Sequence, residues 1–291
     1  MSRRTGARRS AEGAAAGFVS REETLSMQDL TWNRVLITGA AGKIGTTLRA
    51  GLAGRHPLLR LLDRRPVEGL RPGEEALVAD LRDRAALARA VEGVDAMVHL
   101  AGAPDPLDFE EMFRANVRGL YDLFEAARAA GVRRIVFAST NHTYGMYPVS
   151  HAMTPADPVR PDSFYGVAKV FGENLLRYYF DKHGIESVSL RIGSFEPRPT
   201  QQRHLSTWFS PRDAVELVDR SLKQPGVGAA IVFGMSNNTR IRIARPNWEA
   251  VGFKPQDDAE TWRDQLASEG VDVDGELEWK RHGGIYEGKD Y

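Results

Sequence analysis

From Arg34 onward, short apolar runs alternate with stretches in which apolar residues recur every three or four positions. RVLIT (34–38) is a β-branched run that ends at a glycine, and a helical stretch follows it through Arg55. LLRLLD (58–63) and ALVAD (76–80) are the second and third runs, and DRAALARAVEG (83–93) has helical spacing. AMVHLAG (96–102) is the fourth run, followed by a long amphipathic helix from about Phe109 to Ala130. RIVFAST (134–140) is the fifth, and a helix from about Phe164 to His183 leads into SVSLRIG (187–193), the sixth. Near-continuous apolar runs predict strands covered on both faces, as in a parallel sheet. Strand–helix alternation with short connections predicts right-handed βαβ units, hence an α/β fold with a doubly wound sheet. After Ser194 the pattern loosens into a helix near Pro211–Lys223, a strand AAIVFG (229–234) and a charged C-terminal region. That part is expected to form a small lobe on the substrate side.

Composition narrows the partners. Lys+Arg and Asp+Glu are both 39, so the formal charge is zero, and neither nucleic acid nor an anionic membrane is expected as a partner. No run approaches the roughly 18 apolar residues of a membrane span. The chain has no cysteine, which excludes disulfides, thiolate catalysis and Cys-ligated zinc and fits a reducing, cytoplasmic setting. Arg3, Arg4, Arg8 and Arg9 could open an export signal, but the following AEGAAAGFVSREE is short, Gly-broken and charged. Residues 1–31 are therefore read as a flexible basic tail, with Met27 an alternative start, and 32–291 as a single domain.

TGAAGKIG (38–45) follows the first strand and opens a helix. Gly39, Gly42 and Gly45 permit a tight turn, close approach of a pyrophosphate and close helix–strand packing, and the helix N-terminus supplies free N–H groups. In this context the triad is the fingerprint of a Rossmann-type dinucleotide site, to which Lys43 and Ile44 also belong. Asp63 ends the second strand about 20 residues on, where a carboxylate accepts from ribose hydroxyls. It would repel a 2′-phosphate, so NAD is expected rather than NADP, although Arg64 or Arg65 could hold a phosphate. Asp80 and Leu81 could border the adenine, with Asp80 equally readable as a helix N-cap. Leu100, Ala101 and Gly102 are small enough for backbone to lie against the cofactor, and Ile192 ends the sixth strand beside it.

Tyr165 and Lys169 form Y-x-x-x-K on a predicted helix, so both share one face. A lysine charge stabilises a phenolate and draws the tyrosine pKa down from about 10, which suits a general base for hydroxyl oxidation. Lys169 could also hold the nicotinamide ribose. Thr140, at the end of the fifth strand, could hydrogen-bond the reacting oxygen. Hydride passes directly to the nicotinamide, so no metal is required.

This combination resembles the extended short-chain dehydrogenase/reductase superfamily over about residues 33–262. The resemblance implies that Tyr165, Lys169 and Thr140 are catalytic and that Asn116 supports them, against a reading of Asn116 as a solvated helix residue. FASTNHTYGMYP (137–148), RPDSFYGVAKVFGENL (160–175), RIGSFEPRP (191–199) and RHLSTWFS (203–210) further resemble the uronate dehydrogenases. That likeness implies oxidation of the C1 hydroxyl of D-glucuronate or D-galacturonate to an aldarolactone. Thr140, Asn141 and His142 would line the sugar pocket, His142 as a neutral donor, and Ser194 would contact substrate and cofactor. Arg203 would clamp the sugar carboxylate, a planar guanidinium being suited to two parallel bonds. Structural readings stay open for His142 and Arg203, and Arg198 is a rival clamp. Pro104 departs from the family, which carries a Ser there, so a sugar phosphate such as glucose 6-phosphate, or another aldose, is the alternative C1 substrate. A nucleotide-sugar epimerase or dehydratase and a non-catalytic NAD sensor are the further readings. Helices 109–130 and 164–183 often pair between subunits in related folds, so the resemblance implies a homo-oligomer, while their apolar positions could equally pack onto their own sheet. HGGIYEGKDY (282–291) is read as a disordered tail or a partner contact.

Overall fold

The computed structural model of the protein describes residues 28–103 and 109–286, so residues 1–27 of the tail, Pro104 and residues 287–291 lie outside the described residues, while the tail's last residues, 28–31, are not loose: Leu30 N–H bonds the Lys223 carbonyl at 2.8 Å and Asp29 pairs with Arg220. Seven strands form one parallel sheet: β1 (Arg34–Thr38), β2 (Leu58–Asp63), β3 (Glu74–Val78), β4 (Ala96–His99), β5 (Arg134–Thr140), β6 (Glu186–Ile192) and β9 (Ala229–Gly234). Their order is β3-β2-β1-β4-β5-β6-β9, so the winding reverses between β1 and β4 and opens a crevice at the strands' C-terminal ends. Successive side chains on a strand point to opposite faces. Val35 and Ile37 accordingly pack under α1 (Lys43–Gly51) and α7 (Pro211–Lys223), with Leu48 and Val218 in the same core. Leu36 packs on the other face with Phe124, Phe137 and Leu176, beneath α2 (Arg84–Val91), α4 (Gly119–Ala129) and α5 (Phe164–His183). The short β7 (Ser194–Phe195) and β8 (Trp208–Phe209) pair beside the sheet, joined through α6 (His204–Thr207), and α8 (Arg263–Ser268) packs near them.

Several boundaries differ from expectation for visible reasons. β3 starts at Glu74, before the apolar run, because its first two side chains are held by arginines: Arg49 lies 2.6 Å from Glu74 and Arg60 2.5 Å from Glu75. The first helix ends at Gly51 rather than Arg55, and Gly54 turns the chain in the left-handed region at φ 75°. β4 stops at His99, not Gly102: Leu100 N–H still reaches the Thr38 carbonyl, but Ala101 N–H bonds the Thr38 hydroxyl, and the backbone leaves the sheet there.

The helix expected over 109–130 is three pieces. α3 (Phe109–Met112) and α4 flank a π-helical turn, Phe113–Arg118, in which Gly119 N–H reaches back five residues to the Arg114 carbonyl. α5 runs as expected, capped by Ser163, whose hydroxyl accepts from Gly166 N–H, and ended by Gly184 at φ 69°.

Candidate active site

The first βα turn is built for close approach. A Cβ on Gly45 would lie 2.2 Å from the Gly39 carbonyl oxygen, and one on Gly39 would lie 2.8 Å from Ala101 N. Gly42 caps α1 without a side-chain hydrogen bond, leaving the first N–H groups of the helix for a ligand. Two joined cavities, both bordered by Gly39, Gly42 and Leu100, run along the crevice. The larger, 550 Å³, is lined by Asp63, Arg64, Arg65, Asp80, Leu81, Ala101 and Gly102, the smaller, 340 Å³, by Lys43, Ile44, Gly45, Thr140, Tyr165, Lys169 and Ile192. A bent, elongated dinucleotide with its pyrophosphate on the shared glycines fits this shape.

Asp63 is buried, and its carboxylate is fixed by Ala41 N–H and Arg65 N–H, each at 3.0 Å. Arg65 turns its guanidinium to the Ala41 carbonyl at 2.6 Å, so of the two arginines that could meet a 2′-phosphate it is already engaged. Asp80 is not the helix cap. Asp83 caps α2, accepting from Ala86 N–H, while Asp80 binds the Arg82 guanidinium at 2.8 Å, which holds its carboxyl below the usual range. Lys43 reaches across the groove to an ion pair with Glu196, just after β7.

Tyr165, Lys169 and Thr140 line one cavity, as expected from the spacing. Lys169 is buried. Its Nζ donates to the Ala138 carbonyl at 2.8 Å and lies 5.5 Å from the Tyr165 ring centroid. Burial pushes the Tyr165 phenol up to about 12 and pulls the Lys169 ammonium down to about 8. Burial thus works on the phenol in the direction opposite to the lowering by lysine that the spacing suggested. Thr140 Oγ1 caps a 3₁₀ turn, Asn141–Tyr144, by accepting from His142 N–H at 3.3 Å.

Asn116 is buried, not solvated. The π turn aims its amide at Ala103, accepting from the N–H at 2.7 Å and donating to the carbonyl at 2.9 Å. It thus fixes the backbone beside Gly102, from which a Cβ would meet Asn116 Oδ1 at 3.1 Å and Lys169 Nζ at 3.7 Å. π turns insert one residue and re-aim side chains, and they recur at functional sites.

On the substrate side His142 Nδ1 lies 2.8 Å from a fully buried Asp162 oxygen. With Nδ1–H donating to the carboxylate, Nε2 is the atom turned to a ligand, an acceptor on a neutral ring and a donor on a protonated one. Asn141 Nδ2 donates to the His282 carbonyl at 3.5 Å, and Ser194 Oγ pairs with Thr207 Oγ1 at 2.8 Å. Arg203 lines a smaller cavity rather than the one lined by Tyr165 and Lys169. Burial lowers its pKa, and no carboxylate among the described residues forms an ion pair with it. Arg198, the rival, is paired with Glu269 at 2.9 Å.

Three features escaped sequence reasoning. Asp162 sits where a Cβ on Gly145 or Gly283 would lie 1.8 Å from its carboxylate, so both glycines are needed to seat it. Glu173 is buried behind Lys169. The segment around His282–Tyr286, read as a tail or partner contact, instead packs on the site: His282 N–H bonds the Tyr147 carbonyl, Gly283 N–H the Gly145 carbonyl, and the Tyr286 ring sits edge-on to His142 at 4.4 Å.

The profile of the NAD dependent epimerase/dehydratase family matches residues 35–222. Uronate dehydrogenase of Pseudomonas putida is 44% identical over 238 residues, covering 81% of this chain and 89% of that protein. The crystal structure of uronate dehydrogenase from Agrobacterium tumefaciens superposes with a TM-score of 0.84 at 42% identity, over 89% of this chain and 97% of that one. A mutant of that enzyme complexed with NAD superposes equally well, with a TM-score of 0.84.

Proposed function

The chain belongs to the NAD dependent epimerase/dehydratase family and, within it, to the uronate dehydrogenases, and on that premise we propose that it oxidises the C1 hydroxyl of a hexuronic acid, D-glucuronate or D-galacturonate, to the aldarolactone. It is an NAD-dependent dehydrogenase, and NAD is its cofactor. The glycine turn, Asp63 and the Asn116-braced backbone at Gly102–Ala103 would hold the dinucleotide. When bound, NAD accepts the hydride from C1.

The chain's own groups handle the proton. Tyr165 takes it from the C1 hydroxyl, and Thr140 Oγ1, in the same cavity, hydrogen-bonds the reacting oxygen. Lys169, cationic below its pKa of about 8, stabilises the phenolate that must form first. Asp162 orients His142 so that Nε2 meets a sugar hydroxyl, and Asn141 and Ser194 border the ring.

One observation carries the choice of an acidic sugar: Arg203 keeps a partly desolvated guanidinium that feels Asp162 at a distance but has no carboxylate within ion-pair reach among the described residues. A desolvated cation without a direct ion pair is costly unless a ligand pairs with it, and the carboxylate of a uronate would do so. The same cation would accept a phosphate ester, which makes glucose 6-phosphate the second reading. The test is NADH formation from NAD⁺ with D-glucuronate, D-galacturonate, glucose 6-phosphate and glucose in parallel, with the product identified by NMR. Turnover of the uronates with lactone as the first product is expected. Turnover confined to the phosphate ester or to the neutral sugar would overturn the uronate assignment.

A further inference from the structure

The reaction proposed above needs a lysine that stays cationic although it is buried, and three elements converge behind it. Glu173 lies one turn beyond Lys169 on α5, on the face that carries Tyr165. It is buried and its carboxylate is fully engaged: Arg191 Nε and Nη2 donate at 3.0 and 2.9 Å, and Ser139 Oγ donates at 2.6 Å. Ser139 immediately precedes Thr140 on β5, and Arg191 immediately precedes Ile192 on β6. One carboxylate therefore ties the helix of Tyr165 and Lys169 to the two strand ends that border the same cavity.

Stability alone does not call for an ion pair in this position. A buried pair can usually be replaced by apolar side chains of similar volume without loss. What apolar side chains cannot supply is negative charge beside Lys169. The groups facing it have distinct characters. On α5 they are Tyr165 and Glu173. β4 presents His99, which burial pushes down to about 3 and so keeps neutral. β5 offers the hydroxyls of Ser139 and Thr140 and the Ala138 carbonyl, the π turn offers the uncharged Asn116, and the 3₁₀ turn brings His142 against Tyr165. β6 brings Arg191, whose charge is matched by Glu173 itself. Among these groups Glu173 is the carboxylate, and its charge opposes the downward pull of burial on Lys169.

We propose that Glu173 is a positioning residue of the hydride-transfer site, its carboxylate fixing Lys169 and Thr140 relative to each other through Arg191 and Ser139 and supplying the negative charge that keeps Lys169 cationic at working pH. The proposal rests on the assignment of Tyr165 and Lys169 above. It is tested by the pH dependence of kcat for uronate oxidation in the wild type, in Glu173→Gln, and in the double variant Glu173→Met with Arg191→Met. The double variant removes both charges and should fold where an unpaired Arg191 would not.

Loss of the carboxylate lets Lys169 shed its proton at lower pH, so the alkaline limb of the profile should move down by about one pH unit in Glu173→Gln and by less, in the same direction, in the double variant, which also removes the opposing Arg191 charge. A purely structural role would lower kcat by the same factor at every pH and leave the limb where it is. A limb unmoved in both variants, with Tyr165→Phe inactive, overturns the role of Glu173 alone. Turnover retained by Tyr165→Phe overturns the assignment of the base as well, and the role of Glu173 with it.

Discussion

Burial moves Tyr165 and Lys169 each against its charged form, the phenol up to about 12 and the ammonium down to about 8. Tyr165→Phe removes the group proposed to accept the proton and leaves the groove wall unchanged. It should cut kcat by about 10²- to 10⁴-fold, with NAD affinity by calorimetry close to wild type. Arg203→Ala should act differently. Losing a charge-assisted contact worth about 2 kcal/mol raises KM for the uronate roughly thirtyfold with kcat largely kept, and KM for a neutral aldose should not change. Tyr165, Lys169 and the glycines line the groove together, because Y-x-x-x-K and the glycine triad are local spacings each on one element, whereas Arg203 lines a separate cavity. Asp162 and Glu173 were invisible for the opposite reason. Each is an ordinary acid in a polar-looking stretch, and its meaning comes only from partners 20 and 18 positions away, His142 and Arg191.

Elements were legible wherever burial wrote a continuous apolar run, and they blurred where polar side chains do the packing. β1, β2, β5 and β9 begin and end where the pattern places them, whereas β3 hid its first turn of pairing behind Glu74 and Glu75, which are neutralised by arginines from α1 and β2. The π turn at Phe113–Arg118 has no hydrophobic signature, since one inserted residue shifts the periodicity less than normal scatter does. Yet it is what aims Asn116 at Ala103. The glycine turn is a stricter device. Gly45→Ala would drive a Cβ to 2.2 Å from the Gly39 carbonyl and 2.8 Å from Ala40 Cα, backbone atoms that cannot yield without opening the turn. NAD affinity should fall by at least about tenfold, the equivalent of 1.4 kcal/mol, while the melting temperature drops only modestly. An NAD dissociation constant unchanged by Gly45→Ala would mean that the pyrophosphate lies elsewhere.

Across the whole molecule, histidines are buried on the sheet and around it, and this sets the acid limit of the fold. Four of the seven histidines, His56, His99, His204 and His282, are buried and have pKa values lowered chiefly by desolvation, His99 to about 3 and His204 to about 4. Two of them are built to be neutral: His204 Nδ1 accepts from Thr200 N–H at 3.1 Å, and His99 Nδ1 pairs with the Thr38 hydroxyl at 2.7 Å inside an aromatic cage of Phe124 and Phe137. Between the folded values and the ordinary histidine value the unfolded chain binds protons that the folded chain does not, so stability rises with pH in that window and is lost as pH falls through it. Each such histidine contributes up to about 1.4 kcal/mol per pH unit. Carboxylates with lowered pKa values, such as Glu74 against Arg49 and Asp122 against Arg84 and Arg118, lose their contribution only below the ordinary carboxylate range, so the two effects separate. The melting temperature should therefore fall already between about pH 6 and 5, before the ion pairs are protonated. His99→Asn with His204→Asn keeps an acceptor at each position but cannot titrate, and should flatten that slope while leaving the steeper loss below pH about 4 in place. A slope unchanged in the double variant would assign the acid sensitivity to the carboxylates and not to the buried histidines.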